Sequence, residues 1–345
     1  MPAPVPPSSL GPSCDSTDGL RCKVRAARDL RAENRIFRPE MSLSLVLLGT
    51  SASRPTVERN VSSIAVVREG ETLLFDCGEG TQRQMMRYGV SFALSDIFFT
   101  HFHADHVIGV IGLMRTMALQ GRTDPLRLWG PKGAGRHLKR AEQFGVDRLT
   151  FPVEIRELDH DERLKRKDYV IVPFAVEHGP GPAMGYAIVE DDRKGRFDPD
   201  HARELGIPEG PMWGRIHKGE AVTLDDGRVI QPSELVGPRR SGRTVVITGD
   251  TRPCENTMQA ARGADILVHE ATFGDEEAER AVETGHSTAR EAAIIAKRAG
   301  CRRLLLSHFS ARYSRDAGEL EAQARSEFSD VLIGKDGMVV EVPYV

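Results

Sequence analysis

Along most of the chain, short apolar and β-branched runs alternate with longer stretches in which apolar residues recur at helical spacing. The runs at 43–48, 64–67, 73–75, 97–100, 126–129, 169–174, 244–248, 266–268 and 304–306 predict strands. The stretches at 80–88, 108–120, 133–144 and 287–298 predict helices, the last with Ser287 or Thr288 as N-cap. Strands and helices in this alternation predict an α/β sandwich, and no internal repeat is visible.

Two regions break the pattern. Residues 1–40 are rich in Pro, Ser, Arg and charge with little apolar periodicity, so a disordered tail is expected there. Met41 stands directly before the first apolar run, which makes it a candidate start and makes 41–345 the folded domain. Residues 190–240 are dominated by Gly, Pro and charge, with Gly206-Ile207-Pro208 followed by Gly210-Pro211, and read as an arm inserted into that domain.

Composition changes the picture only slightly. A chain of 345 residues with ordinary apolar and charged fractions can bury a substantial core. No stretch approaches the roughly 20 apolar residues a membrane span needs, and the N-terminus lacks a basic-then-apolar signal pattern, so a cytoplasmic location with no membrane partner is expected. Cys14, Cys22, Cys77, Cys254 and Cys301 are scattered, without a CxxC pair, and suggest neither a disulfide framework nor a thiolate metal site. A formal charge of -3 is not the basic balance of a nucleic-acid coat, so any RNA contact must come from local patches. Arg193-Lys194-Arg196 and Arg239-Arg240-Arg243 flank the arm and offer phosphate contacts, though as charge runs they serve equally as solvated surface.

Candidate chemistry concentrates in Thr100-His101-Phe102-His103-Ala104-Asp105-His106-Val107, directly after a predicted strand. Three imidazoles and a carboxylate in six residues are donors that zinc prefers. Alternate side chains on a strand-to-loop turn project the same way, so His101 and His103 can hold one ion while Asp105 and His106 face a second. His178, Asp250 and His308 each follow an apolar run, where an α/β fold gathers its site, and together supply the ligands two zinc ions still lack.

HxHxDH followed by separate His, Asp and His resembles the metallo-β-lactamase superfamily over roughly residues 43–343, which implies an αββα sandwich of two facing sheets with flanking helices. Within it, Asp76-Cys77-Gly78-Glu79-Gly80-Thr81, Gly249-Asp250-Thr251, Val268-His269-Glu270-Ala271-Thr272-Phe273, Gly285-His286-Ser287-Thr288 and Ser307-His308-Phe309-Ser310-Ala311-Arg312-Tyr313 resemble motifs of the ribonuclease Z family. The resemblance implies two Zn2+ per subunit, with Mn2+ as the other candidate metal. His101, His103, His178 and Asp250 would hold one ion, and Asp105, His106, Asp250 and His308 the other, with Asp250 bridging. It implies an endoribonuclease that removes the 3′ trailer from precursor tRNA and leaves a 3′-hydroxyl, a homodimer, and an arm at 190–240 that grips the tRNA elbow. One departure is visible: where the common family pattern has lysine, Val57 stands in the loop Pro55-Thr56-Val57-Glu58-Arg59-Asn60.

For catalysis, Asp105 is expected both to ligate and to accept the proton of the attacking water. The resemblance implies His286 as proton donor to the leaving oxygen, oriented or charged by Glu270, whereas His269 reads as a structural hydrogen-bonding residue. Arg59, Asn60, Arg312 and Tyr313 are candidates for phosphate or base contact, with ordinary loop positions an equal reading. Two rivals remain: a small-molecule phosphodiesterase of the same fold, which would need no arm, and a non-catalytic RNA-binding protein, which would have lost ligands.

Overall fold

Leu43, Leu45 and Leu47 pack in one core and Val46 and Leu48 in another, so the first strand is covered on both faces and must lie between two layers. The structure, a computed structural model, describes residues 42–146, 148–160 and 162–344; the expected tail at 1–40 and the candidate start Met41 lie outside them.

The strands in chain order are β1 Leu43–Gly49, β2 Ser63–Arg68, β3 Glu71–Phe75, β4 Asp96–Phe98, β5 Leu126–Gly130, β6 Val153–Glu157, β7 Leu164–Lys165, β8 Tyr169–Ala175, β9 Met184–Glu190, β10 Val222–Thr223, β11 Val229–Ile230, β12 Thr244–Ile247, β13 Ile266–Glu270, β14 Leu304–Ser307, β15 Val331–Ile333 and β16 Val339–Glu341. They form two seven-stranded sheets, β16-β1-β2-β3-β4-β5-β6 and β15-β14-β13-β12-β9-β8-β7. Each sheet is antiparallel on one side and parallel on the other, with β3 to β6 parallel in the first and β12 to β15 parallel in the second.

Leu45, Phe75 and Phe98 meet Tyr186, Ile188 and Ile247 between the sheets. The outer faces are covered by helices: Thr81–Tyr88, Gly109–Leu119 and Ala134–Glu142 on the first sheet, Ala289–Ala299 and Gly318–Arg325 on the second. This is the expected αββα sandwich. Thr288 caps Ala289–Ala299 in a capping box, its hydroxyl accepting from Glu291 N while Glu291 accepts from Thr288 N. Sequence pattern missed β9, whose run Met184-Gly185-Tyr186-Ala187-Ile188 is diluted by small residues yet lies buried between β8 and β12.

The insertion leaves after β9 and returns at β12. It is more ordered than its Gly and Pro content suggested: the helices Pro199–Glu204 and Pro211–Lys218 and the hairpin of β10 and β11 enclose a small core of Ala202, Ile207, Ile216, Val222, Leu224, Ile230 and Leu235.

Candidate metal centre

Parallel strands present their C-terminal ends on one edge, and side chains there converge on a common cleft. Asp76 follows β3, His101 to His106 follow β4, Asp250 follows β12, Glu270 closes β13 and His308 follows β14. His178 arrives from the end of β8, antiparallel to β9.

The seven candidate ligands form two sets. His103 Nδ1 lies 3.0 Å from His101 Nε2 and 3.1 Å from His178 Nε2, and Asp250 Oδ2 lies 3.6 and 3.9 Å from the same two imidazole nitrogens. Beside them, Asp105 Oδ2 lies 3.6 Å from His106 Nε2 and 3.4 Å from His308 Nε2, and those two nitrogens are 3.3 Å apart. Asp250 reaches the second set as well, with Oδ2 3.4 Å from His106 Nε2 and Oδ1 3.3 Å from His308 Nε2.

Hydrogen bonds on the outer side of each ring fix which nitrogen faces inward. Asp76 Oδ2 accepts from His106 Nδ1 at 2.8 Å, and the Gly285 carbonyl accepts from His178 Nδ1 at 2.8 Å. Thr100 Oγ1 donates to Asp76 Oδ2 and so accepts from His101 Nδ1, at 3.0 Å; Thr272 Oγ1 donates to Glu270 Oε2 and so accepts from His308 Nδ1, at 2.9 Å. Each of these four rings therefore turns a bare Nε2 lone pair toward the centre, and facing lone pairs at 3.3 Å repel unless a cation lies between them. Asp250 Oδ1 is buried without a hydrogen-bond donor. Burial and the neighbouring imidazoles hold His101 well below the ordinary histidine pKa, which keeps that ring neutral. A nitrogen and carboxylate donor set of this kind fits divalent metal ions.

The backbone is strained where it serves these groups. Ser53, Asp76 and His308 have φ of 60°, 56° and 57°, a region L-residues seldom adopt. Ser53 thereby aims its N–H at Asp105 Oδ2, 2.7 Å away. A Cβ on Gly109 would lie 1.9 Å from the Gly78 carbonyl, so the helix after the ligand loop can approach the loop after β3 only with glycine there.

His286 stands beside both sets. Its Nδ1 is 2.9 Å from Glu270 Oε1, and Glu270 also accepts from Thr251 N, Ser287 N and Thr272 Oγ1. Burial lowers the His286 pKa, but the Glu270 charge and hydrogen bond, with Asp250, raise it to about 9. Arg252 holds the loop by donating to the His286 carbonyl and to both oxygens of Glu291. His269 is fully buried and donates from Nδ1 to the Glu270 carbonyl, apart from the ligand sets.

The expected substrate contacts fare differently. Arg59 is buried: it donates to the Ser314 carbonyl, the Gly334 carbonyl and Thr50 Oγ1 and lies over the Phe309 ring. Asn60 gives its N–H to Asp336, and Tyr313 is buried with its hydroxyl donating to Glu277. Arg59 and Tyr313 thus spend these groups on partners within the protein, whereas the Asn60 side-chain amide is buried without a hydrogen-bond partner. Arg312 is half exposed and paired with Glu277. Asp76, Thr100 and Thr272 stand within the motifs, but sequence alone assigns them no role; the structure shows that they orient the ligands.

The profile of the Beta-lactamase superfamily domain matches residues 71–240 and 235–309. Ribonuclease Z of Gemmatimonas aurantiaca is 65% identical over 303 residues, covering 88% of this chain and 96% of that protein. Ribonuclease Z of Myxococcus xanthus is 53% identical, covering 87% and 98%. Among solved structures, human tRNase Z, short form, is similar at 27% identity with a TM-score of 0.63, covering 87% of this chain and 99% of that one.

Proposed function

The chain belongs to the ribonuclease Z family of the metallo-β-lactamase superfamily, and from that premise we propose that it is a metal-dependent endoribonuclease that removes the 3′ trailer from precursor tRNA and leaves a 3′-hydroxyl on the tRNA. The observation that carries this reading is the meeting of two complete ligand sets at Asp250, with His286 beside them, in a chain so similar to its ribonuclease Z relatives.

Two zinc ions are the proposed occupants, one held by His101, His103, His178 and Asp250 and the other by Asp105, His106, Asp250 and His308; all-nitrogen and oxygen ligation leaves manganese as a substitute. Such ions supply positive charge for the phosphate oxygens and lower the pKa of the attacking water. Asp105, fixed by the Ser53 N–H, accepts that water's proton. His286, whose Nδ1 is engaged by Glu270, has Nε2 left to donate a proton to the leaving ribose oxygen.

The arm, at 190–240, is the proposed grip on the tRNA body. Its legs join β9 and β12 at the ends away from the metal centre: Thr244 opens β12 and Asp250 lies beyond its other end, up to roughly 20 Å away at full extension. That placement favours an arm serving the site of a second subunit, hence a homodimer. Exposed Met86 on the helix Thr81–Tyr88 and Ile108 at the N-cap of the helix Gly109–Leu119, two helices bridged by Thr116 and Gln82, offer apolar surface for pairing. No helix among the described residues is long and apolar enough to cross a membrane, and a cytoplasmic site of action alongside tRNA is proposed.

The test is to incubate the metal-loaded protein and Asp105→Ala with a 3′-extended precursor tRNA and with a small phosphodiester, mapping any cut to the nucleotide. Variant-sensitive cleavage at the tRNA 3′ end is expected. Turnover of the small ester alone would instead make this a small-molecule phosphodiesterase.

A further inference from the structure

Both legs of the arm are tied to the last residues of the chain. Glu190, where the arm departs, is buried and accepts from Arg68 Nε of the opposite sheet at 2.8 Å and from two nitrogens of Arg243 on the returning leg, each at 2.7 Å. Arg243 donates in turn to the Val342 carbonyl at 3.0 Å. Arg193 on the outgoing leg pairs with Arg240 on the returning one through backbone hydrogen bonds of 2.7 and 2.9 Å.

Past Val342 the chain brings Tyr344 between the legs. The guanidinium carbons of Arg193 and Arg243 lie 3.3 and 3.8 Å from the centroid of its ring. Two guanidiniums cannot share one face of a six-membered ring at those distances, so the ring is held between them, one cation on each face. Arg193 Nε is buried without a hydrogen-bond partner, and among the described residues the ring is the contact its guanidinium makes. The two basic clusters, which read equally as phosphate contacts or as solvated surface, thus include two residues committed to the arm's root.

We propose that Tyr344 is a positioning residue: the C-terminal segment clamps the two legs and sets the direction in which the arm leaves the body. This rests on the reading of the arm as the tRNA grip. The arm holds itself together through its own core around Ile207, Ile216 and Leu235, so the body need supply only its direction. Backbone pairing of Arg193 with Arg240 joins the legs to each other but leaves them free to swing together. A ring wedged between a cation on each leg, and anchored through Val342 to the edge of the first sheet, opposes that swing. Arm direction is a property that tRNA binding depends on and that hydrolysis of a small ester does not.

The experiment uses the full-length, metal-loaded protein with Tyr344→Ala, Tyr344→Phe and a variant in which residues 192–242 are replaced by a short Gly-Ser linker. Tyr344→Ala is expected to raise KM for precursor tRNA on the order of tenfold, with kcat and the rate on bis(4-nitrophenyl) phosphate unchanged. Tyr344→Phe, which keeps the ring, is expected to restore KM. In hydrogen exchange of the free protein, amides at 193–198 and 236–243 should exchange faster in Tyr344→Ala while those around Ile207 and Ile216 keep their protection. Unchanged KM and unchanged exchange at the legs in Tyr344→Ala would overturn the clamp, as would a Tyr344→Phe variant as impaired as Tyr344→Ala, which would assign the effect to the hydroxyl. If the linker variant binds precursor tRNA as well as the intact protein while hydrolysing the small ester normally, the arm reading itself fails. If the linker variant loses tRNA affinity and Tyr344→Ala does not, only the clamp fails.

Discussion

Asp76 Oδ2 accepts the Nδ1 proton of His106 at 2.8 Å, and that contact decides which nitrogen of the ring faces the metal centre. Asp76 touches neither proposed ion, yet it also fixes Thr100, whose hydroxyl orients His101. Asp76→Ala is expected to weaken metal affinity about 10- to 100-fold, the usual effect of losing such an orienting carboxylate. Zinc competition with a chromogenic chelator measures it. An unchanged affinity would mean that packing alone holds the two rings.

His286 and Glu270 separate proton donation from metal binding. Replacing His286 by Ala should lower kcat on precursor tRNA by roughly 10^2- to 10^4-fold while bound metal stays the same. The pH profile adds a direction. The His286 pKa is raised to about 9, so the donor is charged at neutral pH and activity falls as pH rises through that value. Glu270→Gln removes the main raising influence, and the falling limb of the profile should move to lower pH. A limb that stays in place would show that some other group sets it.

The ligand sets were legible because their chemistry is dense: three imidazoles and a carboxylate in the HxHxDH stretch leave few structural explanations, and strand-end placement drew in His178, Asp250 and His308. The orienting groups were not, because a lone Asp76 or Thr272 at a strand end looks like any cap until its partner appears across the fold. Buried arginines were the hardest. Arg59 bonds Ser314 and Gly334, and Arg243 meets Glu190 and Val342, partners so distant in sequence that no local pattern distinguishes these side chains from surface charge.

Arg59 gives a direct comparison of the two readings. Lysine retains the charge but cannot reproduce the fork that reaches Thr50, Gly334 and Ser314 together. Arg59→Lys is therefore expected to cost about 1–3 kcal/mol of stability in denaturant titration, with the salt dependence of tRNA binding unchanged. A stable variant with a shallower salt slope would restore Arg59 to the phosphate-binding surface.

Glu190 makes the root of the arm sensitive to acid. Burial alone would raise its pKa, but the hydrogen bonds and charges of Arg243 and Arg68 outweigh burial and hold it below the ordinary glutamate value. A carboxylate whose folded pKa is depressed stabilises the protein above its unfolded pKa, about 4.3, and that contribution disappears as pH falls through the folded value. Glu190→Gln should then unfold about 3 kcal/mol more easily than the parent at pH 7, since it removes the buried negative charge that Arg243 and Arg68 share, Asp168 remaining as an anion only for Arg68. The gap should narrow steadily below pH 4, because the parent loses the same charge by protonation. Parallel denaturant titrations of both proteins from pH 7 downward measure it; a gap that stayed constant across that range would place the stabilisation in packing rather than in the carboxylate's charge.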